Sequence, residues 1–157
     1  MRLYPLCMPI AIALLTCVVI GVADGDTLTA RCQTEAGTET AKIRLSGIDA
    51  PERRQAFGDV SRDSLAALAF GKSIEAHCHK TDRYGRRVCR VTSSGADIGL
   101  KQIDAGLAWH YKSYEREQPA SERTAYAQAE LVAHNTRRGL WRDDSPVPPW
   151  EWRRPTP

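Results

Sequence analysis

Residues 17–32 read CVVIGVADGDTLTARC, two runs of strand-forming residues joined by an Asp-Gly pair. β-Branched residues favour strands, and Asp-Gly between two such runs is a strong signal for a tight hairpin turn. The segment therefore predicts antiparallel strands over residues 18–23 and 28–33. The cysteines at its two ends, Cys17 and Cys32, would then face each other across the hairpin.

A second hairpin is predicted over residues 73–80 and 86–92, on either side of the turn DRYG at residues 82–85. Its strands also carry one cysteine each, Cys78 and Cys89. Directly opposed residues of an antiparallel pair have Cα atoms about 4.5–5.5 Å apart, which a disulfide can span. We therefore expect the disulfides Cys17–Cys32 and Cys78–Cys89; the alternative is four reduced, buried thiols.

The rest of the chain is predicted to add one strand and three helices. The strand covers residues 40–45. The helices cover residues 61–70 with Ser61 as N-cap, a short segment that Asp97 caps, and residues 121–139. Five short strands with interspersed helices predict an α+β fold, namely a five-stranded OB-type β-barrel with three packed α-helices. Such a barrel hosts many functions, so the fold alone names none.

The N-terminal segment predicts export. Residues 3–23 contain no charged side chain, and a short apolar run after Arg2 is typical of a signal peptide. We assign residues 1–13 to the signal, with a cut that could lie as late as about residue 16, and residues 17–154 to the mature domain. The prediction is a secreted or periplasmic protein without stable membrane association after signal removal, and a retained anchor is the alternative.

Composition limits the class of protein. With 157 residues, 42% of them apolar and 26% charged, the chain has the composition of one globular domain and not of a disordered or membrane-embedded protein. The formal net charge of +3 is too small to indicate a polyanionic partner. Arginines nevertheless cluster near residues 83–90 and 137–154, and guanidinium groups suit bidentate phosphate contacts. We assume a monomer.

Two segments near strand ends carry residues suited to binding a hard cation, DGDT at 24–27 and RLSGIDAPE at 44–52. Such cations prefer carboxylate and carbonyl oxygens. Asp26 and Asp49 can supply carboxylates. Pro51 biases Ala50 towards an extended conformation, which can turn the Ala50 carbonyl towards the same ion.

The same segments and the second turn carry residues suited to phosphodiester hydrolysis. Glu52 is close enough in sequence to hold or deprotonate a water beside the cation. Arg44 and Arg86 can place guanidinium groups on the phosphate oxygens, where negative charge grows in the transition state.

Together these motifs resemble the thermonuclease family, whose domain is called staphylococcal-nuclease-like. The resemblance runs from about Val19 to Arg153 and also includes DRYGR at 82–86, AGLAW at 105–109 and RGLW at 138–141. It implies a five-stranded barrel with three helices. It also implies a Ca²⁺-dependent endonuclease that acts on DNA and RNA and leaves 3′-phosphate ends.

The resemblance assigns a role to each matching position. It implies a calcium site at Asp26, Asp49 and the Ala50 carbonyl, catalytic roles for Arg44, Glu52 and Arg86, and substrate contacts at Arg83, Tyr84, Tyr111 and Tyr114. Arg83 and Tyr84 would contact a neighbouring phosphate, and the other two tyrosines would meet a base. The alternative is a non-catalytic nucleic-acid-binding barrel, in which such a site is eroded; here all five charged catalytic positions are filled.

The remaining histidines and tryptophans are expected to be structural or solvent-exposed. His77 and His79 alternate around Cys78 without a second pair of ligands at zinc spacing. His110 and His134 are predicted at the surface. The four tryptophans are predicted to be packing residues: Trp109, Trp141, Trp150 and Trp152.

Overall fold

The computed structural model describes residues 13–155. Its strands are β1 Ala13–Asp24, β2 Thr27–Thr34, β3 Gly37–Leu45, β4 Ile48–Asp49, β5 Ser73–Thr81, β6 Arg87–Ser93, β7 Ala96–Asp97 and β8 Trp109–His110. Its α-helices are α1 Gly58–Ala69, α2 Ile98–Asp104, α3 Ala120–Asn135 and the single turn α4 Pro149–Trp152. Two 3₁₀-helices cover Lys112–Glu117 and Gly139–Arg142.

The five long strands form a closed barrel, which confirms the predicted α+β fold. The hydrogen-bonded order is β3-β2-β1-β5-β6, and a parallel pairing between β3 and β6 closes it. Alternate residues of each strand point inwards, as in β2, where Leu28, Ala30 and Cys32 are fully buried. The core therefore fills the barrel and continues under the helices, where Leu65, Ile103 and Tyr126 are buried.

Both predicted disulfides are present, Cys17–Cys32 and Cys78–Cys89. The first depends on two irregularities in the β1–β2 register. At the turn Asp24 pairs with Thr27, and that register continued unchanged would set Cys17 opposite Thr34. Two shifts by one residue bring Cys17 opposite Cys32 instead.

Strand β1 begins five residues earlier than predicted, at Ala13 and not at Val18. Residues 13–18 pair with β5, from Ala13 opposite Cys78 to Val18 opposite Ser73. The predicted signal peptide falls mainly on residues 1–12, which lie outside the described residues. Within residues 13–155, no helix combines the length and the apolar character that a membrane crossing requires.

Two predicted helix boundaries were wrong. Helix α1 begins at Gly58. The residue before it, Phe57, adopts a left-handed conformation and gives no side-chain cap. Ser61 is fully buried inside the helix, where its hydroxyl donates to the Leu107 carbonyl at 2.7 Å. Helix α3 ends at Asn135, four residues before Gly139, and the chain reverses there through Arg137 at a φ of 52°.

The cap of helix α2 was predicted correctly. The Asp97 side chain accepts a hydrogen bond from the Leu100 amide at 3.1 Å. The same carboxylate accepts a bond from the buried Tyr126 hydroxyl at 2.8 Å, and it pairs with Arg90 at 3.0 Å. Asp97 therefore ties α2 to α3 and to β6.

Candidate active site

The β1–β2 turn lies against helix α1 and the segment after β4. A Cβ atom on Gly25 would collide with Ser61 and would lie 2.9 Å from the Ala50 Cβ. The Gly25 carbonyl accepts a hydrogen bond from the buried Gln102 side chain at 2.9 Å. Only glycine fits at this position, and the close approach brings Asp26 beside Ala50.

Asp26 joins the two sequence motifs directly. Its side chain is almost completely buried, and Oδ2 accepts a hydrogen bond from the Ala50 amide at 2.7 Å. Its Oδ1 accepts from the Thr27 hydroxyl at 3.0 Å. The turn and the segment after β4 are thus connected through a carboxylate at the predicted cation site.

Arg44 holds the two aspartates together. Its Nη2 lies 3.4 Å from Asp26 Oδ2 and 3.2 Å from Asp49 Oδ1. Its Nη1 donates to the Leu45 and Ile48 carbonyls at 2.7 and 2.8 Å. Both carboxylates therefore converge on one guanidinium group whose plane is fixed by backbone acceptors.

The pKa values of the two aspartates are shifted in opposite directions. Burial opposes ionisation of Asp26, but the Arg44 charge and several hydrogen bonds outweigh it and lower its pKa. Burial raises the pKa of Asp49, and the charge of Asp26 raises it further. Arg153 and Arg44 lower it, but they do not offset the rise. Asp49 is completely buried, so its ionised form needs a strong positive partner close by.

A third aspartate at this site, Asp24, has no role assigned from the sequence. Burial first, and then the charge of Asp26, raise its pKa to about 7. Its Oδ1 accepts a weak hydrogen bond from the Asp26 amide at 3.3 Å. In the sequence Asp24 looks like an ordinary hairpin-turn residue, so no pattern indicated that it belongs to the site.

Glu52 lies beside Asp49, and Arg153 connects the two. Arg153 Nη1 is 2.7 Å from Glu52 Oε1 and 3.1 Å from Asp49 Oδ1, while Nη2 is 2.8 Å from Asp49 Oδ2. Sequence reasoning missed this residue. Arg153 was counted only as part of a C-terminal arginine cluster, and no spacing rule links it to carboxylates about a hundred residues away.

The predicted donor set, two carboxylates and one backbone carbonyl, consists of the oxygen ligands that calcium prefers. Asp26 and Asp49 already share one positive group, so their oxygens point to a common region. Among residues 13–155, no three His, Cys, Asp or Glu side chains are grouped to hold a metal. The predicted set does not require such a group, because its third protein ligand is the Ala50 backbone oxygen and hard cations readily keep water ligands.

Among the described residues, Arg86 forms its ion pair with an aspartate of its own turn. Its Nε pairs with Asp82 Oδ2 at 2.8 Å, and Asp82 also accepts from the Arg86 and Tyr84 amides at 3.0 and 2.9 Å. The parallel register sets Val88 opposite Arg44, and Arg86 precedes Val88 by two positions. Alternation along a strand therefore places Arg86 on the same barrel face as Arg44.

Arg83 and Tyr84 are at the exposed tip of the same turn. Arg83 Nη2 donates to the Tyr84 hydroxyl at 2.7 Å, and its guanidinium lies 4.9 Å from the centre of the Tyr84 ring. Tyr84 is 67% exposed, so both side chains can reach a ligand in solvent.

Tyr111 and Tyr114 lie together, with ring centres 4.8 Å apart. Burial and then the charge of Asp49 raise the pKa of Tyr111. One face of the Tyr111 ring is covered by Trp150, which stacks on it at 5.4 Å with planes 6° apart.

The prediction for His110 was wrong and that for the tryptophans was largely correct. His110 is completely buried; Nε2 lies 2.8 Å from Gln118 Oε1, and burial lowers its pKa. Trp109 contacts Trp141 and Trp150 with ring centres 4.5 and 5.4 Å apart. Trp152 stays half exposed.

Comparison with known proteins places this chain in a family. Residues 42–143 match the model of a family described as Staphylococcal nuclease homologue. An uncharacterized endonuclease of Haemophilus influenzae is 39% identical over 139 residues, 88% of this chain and 73% of that protein. An uncharacterized endonuclease of Escherichia coli O157:H7 is 35% identical over 136 residues, 86% of this chain and 82% of that protein.

Plant relatives are longer. The staphylococcal-like nuclease CAN1 of Arabidopsis thaliana is 37% identical over 113 residues, 72% of this chain but only 33% of that protein. The chain therefore spans about a third of the plant relative and most of the bacterial ones. The segment that matches the family model begins within β3 and contains strands β5 and β6 together with Arg44, Asp49, Glu52 and Arg86. The chain belongs to the staphylococcal nuclease family of endonucleases.

Proposed function

We propose that the protein is a calcium-dependent endonuclease that hydrolyses DNA and RNA and leaves 3′-phosphate ends. The observation that carries this proposal is the convergence of Asp26 and Asp49 on Arg44, with Glu52 beside them. A barrel without catalytic activity has no need for three carboxylates and a fixed guanidinium group in one partly buried place, since burying such charges costs free energy.

The cation would be held by Asp26, Asp49 and the Ala50 carbonyl. A bound Ca²⁺ would supply positive charge to a non-bridging phosphate oxygen and offset the repulsion between the substrate and the carboxylates. The protein contributes ligands that are fixed in advance, because Asp26 is held by Ala50 and Thr27. We therefore expect little rearrangement of these side chains when the ion binds.

Glu52 would orient the attacking water and accept its proton. The water oxygen forms a bond to phosphorus, and the bond from phosphorus to the 5′ oxygen breaks. The 5′ oxygen then takes up a proton, which leaves a 5′-hydroxyl on one product and a 3′-phosphate on the other. Arg44 and Arg86 would stabilise the negative charge that builds on the phosphate oxygens as phosphorus becomes five-coordinate.

Exposed residues around this centre would bind the rest of the strand. Arg83 and Tyr84 can contact the neighbouring phosphate from the turn that also carries Arg86. Tyr111 and Tyr114 can meet a base, since stacking on an aromatic ring tolerates any base. Contacts to phosphate and to ring faces without base-edge readout would favour broad substrate use over sequence specificity.

We also propose that the protein acts outside the cytoplasm as a monomer. Two disulfides support an oxidising compartment, because cytosolic thiols are kept reduced. The predicted signal peptide, residues 1–13, would direct the export.

A digestion assay tests the proposed function. The purified protein should degrade heat-denatured DNA and RNA with Ca²⁺ present and stop when the ion is chelated, and end-group analysis should find 3′-phosphates. Cutting that persists in excess chelator would contradict the role of the cation. Binding of nucleic acid without any cutting would instead favour a non-catalytic binding barrel.

A further inference from the structure

The C-terminal arm, defined here as residues 143–154, folds back over the candidate active site. Its helix α4 begins at Pro149 and directs Arg153 towards the acidic residues. The Val147 carbonyl of the arm accepts a hydrogen bond from the Gln55 side chain. Gln55 also accepts from the Glu52 amide at 3.1 Å, so the arm is connected to the segment that carries the proposed general base.

Arg153 occupies the carboxylates on which the proposed chemistry depends. Three contacts of 2.7–3.1 Å join its two Nη atoms to Glu52 and to both oxygens of Asp49. Asp49 is completely buried, and its second positive neighbour is Arg44. A guanidinium in this position satisfies the charge of Asp49 and takes up an oxygen of Glu52 that would otherwise receive a proton from water.

Trp150 covers one face of Tyr111, the side chain that the proposed function assigns to a base. It stacks on Tyr111 with nearly parallel rings and meets Trp109 edge-to-face. A base stacked on that side of Tyr111 would have to displace the Trp150 ring. The arm thus places a cationic group at the carboxylates and an aromatic ring at the tyrosine, where a cation and a base are proposed to bind.

We propose that the C-terminal arm is a latch whose closed position and cation binding exclude each other, so that calcium binding releases the arm and uncovers Tyr111. The inference rests on the proposed calcium site at Asp26, Asp49 and Ala50. Two full positive charges cannot share the Asp49 carboxylate with a divalent ion without strong repulsion. Arg153 must therefore leave when the ion enters, and its departure frees Glu52.

The latch can open at modest cost. The Arg153 side chain is 40% exposed and that of Glu52 is 34% exposed, so water can replace part of their interaction. The remaining anchors are the ring contacts of Trp150, the buried Pro149, the hydrogen bond from Gln55 to Val147 and an exposed ion pair between Arg137 and Asp144. A closed fraction of roughly 90–99% would weaken the apparent calcium affinity about 10–100-fold relative to an open form.

Calcium titration calorimetry on the full chain tests the latch directly. Arg153→Gln should bind Ca²⁺ about 10–100-fold more tightly than the unchanged protein. Arg154→Gln is the matched control, because it removes the same charge one residue away and forms no ion pair among the described residues; its affinity should stay within about twofold. Trp150→Ala removes an anchor without changing the charge and should tighten binding in the same direction as Arg153→Gln.

Hydrogen exchange of the arm gives a second readout that needs no activity. Ligands usually slow exchange near their site, whereas calcium should accelerate exchange in residues 146–154. In Arg153→Gln the arm should exchange quickly already in chelator and change little when calcium is added. Exchange that slows with calcium, or an Arg153→Gln affinity equal to or weaker than that of the unchanged protein, would overturn the latch.

The outcomes separate the latch from the proposed function. If the protein binds calcium and cuts nucleic acid but Arg153→Gln and Trp150→Ala change nothing, the latch alone fails. If neither the unchanged protein nor Arg153→Gln binds calcium, the latch and the proposed calcium site fail together.

Discussion

Arg44 uses its two terminal nitrogens for different purposes. Nη1 is held by the Leu45 and Ile48 carbonyls, and Nη2 faces Asp26 and Asp49. This geometry needs a planar group with several donors, which lysine does not have. The residue therefore fixes the direction of its charge before any substrate arrives.

Replacing Arg44 by Lys should lower kcat by about 10²–10³-fold with the fold intact, because a single ammonium cannot keep the backbone bonds and also face the phosphate. Steady-state digestion with calcium in excess measures the loss, and circular dichroism monitors the fold. Arg87→Lys is the control, since Arg87 pairs with Glu39 at the surface of the adjacent strand and should retain activity. An active Arg44→Lys enzyme would remove Arg44 from the mechanism.

Asp24 gives the metal-free protein a pH-dependent stability. Its pKa of about 7 lies above the value of 3.8 for an unperturbed aspartate. Between these two values the folded protein keeps a proton that the unfolded chain releases, so this group lowers the free energy of unfolding as pH rises towards 7. Asp24→Asn should remove this loss of stability, because the asparagine side chain resembles the protonated carboxyl group.

We expect Asp24→Asn to stabilise the protein by about 1–2 kcal/mol at pH 8 and by almost nothing at pH 4, after allowance for solvent screening. Urea unfolding at both pH values in excess chelator measures the difference. Equal stabilisation at both pH values would mean that Asp24 acts through packing and not through its charge.

At the residue scale the sequence predicted the convergence of Asp26, Asp49 and Arg44, because each lies in a motif at a strand end. It did not predict Arg153, since an interaction about a hundred residues long has no periodic signal. It placed His110 at the surface for a similar reason. The Gln118 partner that allows His110 to be buried becomes its neighbour only after the 3₁₀-helix has formed.

Secondary-structure elements were predicted correctly where side-chain alternation determines their position. They were misplaced where packing determines it. The hairpins and both cysteine pairs were correct, although the β1–β2 register contains two irregularities that the sequence does not reveal. The predicted start of α1 was wrong because the N-terminus of this helix has no capping side chain. Gly58 is required there, since a Cβ would collide with the Glu52 carbonyl.

The two disulfides should contribute similarly to stability. They close loops of similar length, with sequence separations of 15 and 11 residues, and each joins neighbouring strands. The double change Cys78→Ala and Cys89→Ala should lower the free energy of unfolding by about 2–4 kcal/mol, as should Cys17→Ala with Cys32→Ala. Urea denaturation of both pairs measures the effect, and a loss below about 0.5 kcal/mol in either would contradict it.

On the scale of the whole molecule, neighbouring strands of the barrel are paired over unequal lengths. Strands β2 and β3 pair over eight residues, whereas β3 and β6 pair over only three, in parallel. The disulfides link β1 to β2 and β5 to β6, so no covalent bond crosses the β3–β6 joint. We expect the barrel to open there first.

Hydrogen exchange of the metal-free protein tests this expectation. Amides of residues 43–45 and 87–89 should exchange faster than those of the β1–β2 hairpin, because local opening follows the least supported pairing. Uniform protection around the barrel would show that it opens only as a unit.

Arg44 belongs to the β3–β6 pairing, and Arg86 directly precedes it in the chain. The proposed reaction would therefore take place where two barrel strands are paired over only three residues. A nucleic-acid phosphate bound by both guanidinium groups would link the two strands at this pairing. The enzyme would then survive heat and proteases best while substrate is plentiful. Once the substrate is exhausted, the same molecule would become easier to degrade.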